Sequence, residues 1–122
     1  MLRTTLIAAS LALASPAIAA VGLDVGITLT GDVQIQTIVY GCGEALPELT
    51  VKYVNAVPNF LAIIPIEGVD HVFVNVISAS GAKYVSGEFE WWNKGSDATL
   101  HNVTEGLDAA PVLTCSENVQ TP

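Results

Sequence analysis

The stretch FLAIIPIEGVDHVFVNVI, residues 60–77, contains two runs of β-branched and aromatic residues on either side of a short polar break. Runs of this length and composition, bounded by turn-forming residues, are typical of β-strands. The break at residues 67–70 contains a glycine and an aspartate, which tight turns use. The stretch therefore predicts two antiparallel strands, residues 60–66 and 71–77, that form a hairpin.

The same pattern of short apolar runs and turn formers continues on both sides of this hairpin. It predicts further strands at residues 26–30, 33–40, 49–54, 84–92, 98–103 and 112–115, and no long helix. About eight short strands in one small domain fit either a sandwich or a closed barrel. We favour a small antiparallel β-barrel, because closure removes the exposed edges of the sheet.

The first twenty residues, MLRTTLIAASLALASPAIAA, have the features of a secretory signal peptide. One arginine precedes a short apolar run, and Ala17 and Ala19 occupy the small positions before a cleavage point. The sequence thus predicts a signal peptide at residues 1–19 and one domain at residues 20–122. The first cysteine is Cys42, far from the predicted cut, so we expect no lipid anchor.

The charge balance limits the class of partner. Removal of residues 1–19 would leave three lysines against twelve carboxylates, a formal charge of −9. Nucleic acids and anionic lipid surfaces attract basic proteins, so neither is an expected partner. The acidity favours a cationic partner, although it would serve solubility equally well.

The two cysteines, Cys42 and Cys115, allow only one pairing, and an exported chain favours a disulfide. A structural role is expected because the chain contains no CxxC motif. His71 and His101 lack partners at metal-ligand spacing, so no metal and no cofactor is expected.

The segment SASGAKYVSGEFEWWNKG, residues 78–95, contains two of the three lysines outside the signal peptide. Residues 78–83 predict a slim hairpin loop, in which Gly81 can adopt a positive φ. A single strand at residues 84–92 would alternate Val85, Phe89 and Trp91 toward the core, with Tyr84 and Trp92 on the opposite, polar face. Trp92 would then be either a lid on the core or an aromatic contact residue.

The two lysine-bearing links, residues 78–83 and 93–95, would lie at opposite ends of that single strand. A bulge or twist at Gly87 could bring them together. Periodicity alone leaves both arrangements open.

Several motifs of this chain resemble the MliC/PliC family of bacterial inhibitors of c-type lysozyme. They are SASGAKY at residues 78–84, WWNKG at 91–95, YGC at 40–42, VKY at 51–53 and the closing Cys115. Together they span residues 40–115, about three-quarters of the chain that follows the predicted cut.

The resemblance implies a small antiparallel barrel that inserts a serine-bearing loop into the active-site cleft of lysozyme, a cationic protein. Carried over by position, Ser80 is the inserted serine, Lys94 is the cation of the second motif, and Tyr84 supports the loop. The other residues expected at this site are Ser78, Gly81, Lys83 and Trp92. Family members are lipid-anchored or periplasmic, and the lack of a cysteine after the predicted cut places this chain with the periplasmic form.

Two other classes of function are considered. A hydrolase would need an activated nucleophile, but Ser80 has no GxSxG context and no evident base, so we expect no enzymatic activity. A glycan-binding or small-ligand-binding barrel could stack a ring on Trp92, Tyr84 or Tyr53. The sequence leaves open whether the barrel also pairs with itself.

Overall fold

The computed structural model describes residues 7–16, 26–106 and 108–119. The protein is a closed antiparallel barrel in which each strand pairs with the next and the last pairs with the first. The strands are β1 Gln34–Gly41, β2 Leu49–Ala56, β3 Asn59–Ile66, β4 Val69–Val76, β5 Ala82–Ser86, β6 Phe89–Lys94, β7 Asp97–Asn102 and β8 Leu113–Glu117. A short 3₁₀ turn, Val103–Glu105, lies between β7 and β8. The prediction of an all-β barrel is confirmed.

The number of strands agrees with the sequence prediction, but two of the strands differ. Residues 26–30 form no strand, and the single strand predicted at residues 84–92 is a hairpin of β5 and β6. The chain reverses at Gly87, which has a φ of +55°. The alternating residues on either side of Gly87 do not form one continuous strand, because the left-handed backbone conformation of Gly87 ends the strand there.

The reversal changes which side chains face the core. Tyr84 pairs with Trp91 across the hairpin, and both side chains lie inside the barrel. The prediction that Tyr84 shares a polar face with Trp92 is therefore wrong, as is the placement of Val85 in the core. Trp91 is fully buried and Phe89 packs against the core, as predicted.

Large side chains fill the barrel interior. The ring of Trp91 meets Tyr40 edge-on, with the ring centroids 5.3 Å apart. Such edge-to-face pairs contribute about 0.5–1.5 kcal/mol beyond the area they bury. The buried cluster comprises Tyr40, Leu49, Val51, Tyr53, Ala62, Ile64, Phe73, Tyr84, Trp91, Ala98, Leu100 and Cys115.

The predicted disulfide between Cys42 and Cys115 is present and lies at the seam where the barrel closes. This seam is short: β1 and β8 pair through Tyr40 with Glu117 and Gly41 with Ser116, and Asn118 N donates to the carbonyl oxygen of Val39 just beyond them. Cross-linking residues 73 positions apart stabilises a protein by roughly 4 kcal/mol in the chain-entropy model. The bridge therefore reinforces the barrel where its backbone pairing is weakest.

The predicted signal peptide falls partly on residues 1–6 and 17–25, which lie outside the described residues. Its cleavage after Ala19 stays a prediction. Residues 7–16 have no regular secondary structure. Within the described ranges, no helix has the length and apolar character needed to cross a membrane.

Candidate functional site

The two lysine-bearing links meet at one end of the barrel. Because consecutive strands run in opposite directions, the β4–β5 link and the β6–β7 link lie at the same end. The pairing of Ala82 with Asn93 brings the loop at residues 78–81 against the turn that contains Lys94. Periodicity left open whether the two lysine-bearing links meet, and the chain reversal at Gly87 brings them together. We call this part of the molecule the loop end.

Gly81 is the residue through which the loop packs against the turn. Its φ is +65°, a conformation that favours glycine. A Cβ at this position would overlap the backbone carbonyl oxygen of Asn93 and would come within 3.1 Å of Cγ of Lys94. Only glycine allows the loop to pack this closely on the turn, so Gly81 sets the position of the loop relative to Lys94.

The loop itself is held by two hydrogen bonds. Ser78 Oγ donates to the carbonyl oxygen of Gly81 at 3.0 Å, which closes the loop. Trp92 Nε1 donates to the carbonyl oxygen of Ser80 at 2.8 Å. Ser80 is exposed, and no contact among the described residues holds its hydroxyl. Its backbone is thus fixed while its side chain faces solvent.

Trp92 lies on the outer surface of the barrel and organises both lysines. The ammonium of Lys94 is 3.6 Å from the centroid of its ring, and that of Lys83 is 4.1 Å away. Lys83 also forms an ion pair with Glu90, at 3.6 Å. Contacts of this kind with an aromatic ring contribute about 0.5–1 kcal/mol at exposed sites. Trp92 is therefore a support for the loop and its lysines rather than a lid on the core.

The two lysines differ in availability. Lys83 is half-buried and engaged by Glu90, while Lys94 is exposed and has no carboxylate partner in the described part of the chain. Of the two, Lys94 is free to pair with an anion on another molecule.

Tyr84, which the resemblance implies supports the loop, lies inside the barrel. Only 7% of its surface is exposed, and its ring lies 5.7 Å from that of Tyr53, which is also buried. Neither ring can stack on a sugar. Trp92, the third aromatic residue of the glycan-binding alternative, lies on the outer surface, where the ammonium groups of Lys83 and Lys94 pack against its ring.

Asn93 was not among the predicted site residues, yet its side chain enters the barrel below the turn. Its Nδ2 donates to the hydroxyls of Tyr53, at 2.6 Å, and Tyr40, at 3.1 Å. Trp91 Nε1 also donates to Tyr53, at 2.9 Å. Tyr53 thus accepts two N–H bonds, and its hydroxyl also shares a hydrogen bond of 2.9 Å with that of Tyr40, in which either oxygen can be the donor.

This network fixes the start of the turn that contains Lys94. The same alternation that places Trp91 inward also directs Asn93 inward, and that signal could have identified it. Its Oδ1 is buried without a hydrogen-bond partner among the described residues, which costs roughly 1–3 kcal/mol. The next residue in sequence is the exposed Lys94.

The buried hydroxyls of Tyr40 and Tyr84 predict a loss of stability at alkaline pH. Burial raises the pKa of Tyr40, with a smaller contribution from its hydrogen bond to Tyr53, and burial likewise raises the pKa of Tyr84. In the unfolded chain these tyrosines ionise at about pH 10. Above that pH the unfolded state loses protons that the folded state keeps, so the free energy of unfolding falls by up to about 1.4 kcal/mol per pH unit for each tyrosine.

Thermal unfolding measured between about pH 8 and pH 11.5 checks this expectation. The Tyr84→Phe variant keeps the ring and should show a shallower decline than the wild-type protein. A stability that stays constant through this range would contradict it.

The residues considered for a hydrolase lie apart. His71 packs against the ring of Phe89, with the centroids 5.6 Å apart, near the end of the barrel opposite Ser80. His101 also lies toward that opposite end, on β7. The structure therefore brings neither histidine to Ser80 as a base. In the described ranges, no group of three histidine, cysteine or acidic side chains could hold a metal ion.

Comparison with known proteins identifies the family. Residues 40–108, more than half of the chain, match the profile of the MliC family, described as membrane-bound lysozyme-inhibitor of c-type lysozyme. The chain belongs to this family. A membrane-bound lysozyme inhibitor of C-type lysozyme from Pseudomonas aeruginosa is 40% identical over 94 residues, which cover 75% of this chain and 73% of that protein. One of the same name from Cupriavidus necator is 42% identical over 65 residues, which cover 53% of this chain and 52% of that protein.

Two solved structures of MliC and PliC proteins are similar to this barrel. One is Pseudomonas aeruginosa MliC in complex with hen egg white lysozyme, with a TM-score of 0.64 and 37% identity over 80% of this chain and 98% of that one. The other is PliC-St, a periplasmic lysozyme inhibitor of C-type lysozyme from Salmonella typhimurium, with a TM-score of 0.55 and 27% identity over 69% of this chain and 98% of that one. The resemblance to the MliC/PliC family is confirmed, and these relatives are inhibitors rather than enzymes.

Proposed function

We propose that this protein inhibits c-type lysozyme by inserting Ser80 and Lys94 into the active-site cleft of the enzyme. The proposal rests on the close packing of the serine-bearing loop against the turn that contains Lys94. Gly81 packs on the backbone of Asn93, so an exposed hydroxyl and an exposed ammonium project from one end of the barrel. The MliC relative of known structure was solved in complex with hen egg white lysozyme, which supports the proposal.

The two groups suit the chemistry of a lysozyme cleft. Such a cleft contains two carboxyl groups in different environments, one kept protonated as the general acid and the other ionised. The hydroxyl of Ser80 can donate a hydrogen bond to a carboxyl oxygen, and the ammonium of Lys94 can pair with the ionised group. Each hydrogen bond to a charged group contributes about 1.5–3 kcal/mol.

The net negative charge of the protein and the lysine at the loop end have different roles in this proposal. The formal charge of −8 for the full chain would attract a basic enzyme from solution. This attraction is screened over about 8–10 Å at ordinary ionic strength. Lys94 acts only at close range, where it meets the carboxylates of the cleft. Association should therefore depend on salt more than dissociation does.

The periplasm is the compartment that this function requires. The relatives are named as membrane-bound, and PliC-St as periplasmic. The predicted signal peptide and the disulfide together favour an exported protein. There it would protect peptidoglycan from lysozyme that enters the envelope.

A cell-wall lysis assay tests the proposed function. Purified mature protein is added to c-type, g-type and i-type lysozymes, and clearing of a peptidoglycan suspension is followed by turbidity. We expect the protein to inhibit the c-type enzyme at stoichiometric concentrations and to leave the other two types active. Full activity of the c-type enzyme in the presence of excess protein would refute the proposal.

The hydrogen bond from Trp92 to the loop predicts a moderate effect on inhibition. Trp92→Phe keeps a ring beneath the lysines but removes the donor to the carbonyl oxygen of Ser80. Loss of one hydrogen bond, about 1 kcal/mol, should raise the inhibition constant for hen lysozyme roughly 5-fold. The melting temperature should fall by roughly 4–8 °C, because the bond is also lost from the free protein. An unchanged inhibition constant would show that this bond does not position the loop.

A further inference from the structure

Ile77 is the most exposed large apolar side chain at the loop end. Its relative exposure is 101%, which means that no part of the described chain covers it. It lies directly between the end of β4 and Ser78, the first residue of the serine-bearing loop. Isolated apolar residues at the surface are common, so position rather than exposure distinguishes Ile77.

The fold does not require an isoleucine at this position. The side chain makes no contribution to the buried cluster, and the loop is closed by Ser78, Gly81 and Trp92 without it. A polar residue there would leave the barrel as stable as it is. A substitution of Ile77 can therefore change a contact with another molecule without changing the fold.

We infer that Ile77 is an apolar anchor that packs against the wall of the lysozyme cleft beside the inserted Ser80. This inference rests on the proposed function. A cleft that binds sugar rings is lined by aromatic and apolar side chains, which give an aliphatic group a surface to contact. A side chain adjacent to the inserted loop would be carried to that wall when the loop enters. The occupant of this apolar site is thus c-type lysozyme.

The anchor would complement the polar contacts. Ser80 and Lys94 supply hydrogen bonds and charge, which depend on ionic strength, whereas burial of an isoleucine does not depend on charge screening. Residues that dominate binding energy are commonly buried at the centre of an interface and surrounded by polar contacts. Ile77 would have that position in the complex.

The test compares Ile77→Ser with Ile77→Leu and with Val69→Ser. Val69 is 59% exposed and begins β4 at the opposite end of the barrel, so it is a matched control for removal of an exposed aliphatic side chain. Affinity for hen lysozyme is measured by calorimetry in about 50 mM and about 500 mM NaCl. We expect Ile77→Ser to weaken binding about 10- to 30-fold. Ile77→Leu and Val69→Ser should bind as the wild-type protein does.

Salt separates the anchor from the charged contacts. The fold-loss caused by Ile77→Ser should be the same at both salt concentrations, whereas the fold-loss caused by Lys94→Ala should shrink at the higher one. Melting temperatures should be equal for wild type and Ile77→Ser, which excludes an effect through folding.

Three outcomes would overturn the inference. The first is that Ile77→Ser binds lysozyme with wild-type affinity while Lys94→Ala binds it weakly. The proposed function would then still stand. A second is equal losses for Ile77→Ser and Val69→Ser. The third is that Ile77→Ser lowers the oligomeric mass of the free protein in solution but leaves its affinity for lysozyme unchanged. Ile77 would then belong to a contact between two copies of the chain. A wild-type protein that does not bind lysozyme at all would instead refute the proposed function.

Discussion

The double variant Ser80→Ala, Lys94→Ala should inhibit hen lysozyme at least about 100-fold more weakly than the wild-type protein. It removes the hydroxyl and the ammonium that the loop end presents to the cleft, and each contributes a hydrogen bond to a charged or acidic group. Both residues are exposed, and the ammonium of Lys94 packs on the ring of Trp92, an interaction that stabilises the free protein only weakly. The melting temperature should therefore change by less than about 4 °C.

Two further variants separate local contacts from overall charge. Lys52→Ala removes one positive charge from an exposed position on β2, away from the loop end. It makes the protein more acidic by the same amount as Lys94→Ala, and it should leave the inhibition constant within about 2-fold of wild type. Lys94→Arg keeps the charge and should restore much of the inhibition. If Lys52→Ala and Lys94→Ala weakened inhibition equally, Lys94 would act only through net charge.

The second large effect is expected from Gly81→Ala. The new Cβ would overlap the carbonyl oxygen of Asn93, so the loop must move away from the turn that contains Lys94. The hydroxyl of Ser80 and the ammonium of Lys94 would then no longer fit the cleft together. Misplacement by about 1 Å can cost on the order of 100-fold at a geometrically demanding site, and we expect inhibition to weaken about 30- to 100-fold.

Gly87→Ala is the matched control for this variant. Gly87 also has a positive φ, +55°, but a Cβ there would meet nothing within 4 Å, and it lies at the opposite end of the barrel. Gly87→Ala introduces strain of about 1–2 kcal/mol and should lower the melting temperature by roughly 4–16 °C. Gly81→Ala should lower it at least as much, because the overlap with Asn93 adds to the strain. Only Gly81→Ala should lose inhibition. A Gly81→Ala protein that inhibits normally would show that the contact with Asn93 does not position the loop.

Much of the fold could be predicted from local patterns. Residues 60–77 alternate and turn as strands do, and the structure has β3 and β4 joined by a tight link there. The pairing of Cys42 with Cys115 followed from the presence of only two cysteines. These predictions succeeded because each depends on residues close in sequence or on a choice with one outcome.

The predictions failed where a turn competed with an alternating pattern. In residues 84–92 the alternation is nearly continuous, and one glycine decides between a nine-residue strand and a hairpin. Window averages favour the strand, whereas the left-handed conformation of Gly87 ends it. This one difference moved Tyr84 into the core and brought the two lysine-bearing links together.

The candidate site was identified in part. Ser80 and Lys94 were predicted through resemblance to a known family, and the structure has both at the loop end; their contact with lysozyme stays a prediction. The role of Asn93 depends on hydrogen bonds to partners distant in sequence, because Tyr53 and Tyr40 lie 40 and 53 positions before it. No local pattern contains those pairings, so only the closed barrel reveals them.

A crystal structure of the mature protein bound to hen egg white lysozyme would show directly whether Ser80 and Lys94 bind in the cleft. We expect the loop end to enter the active-site cleft, with Ser80 Oγ within about 3.2 Å and Lys94 Nζ within about 4 Å of carboxyl oxygens of the enzyme. A complex in which Ser80 and Lys94 face solvent and another surface of the barrel contacts the enzyme would contradict this expectation.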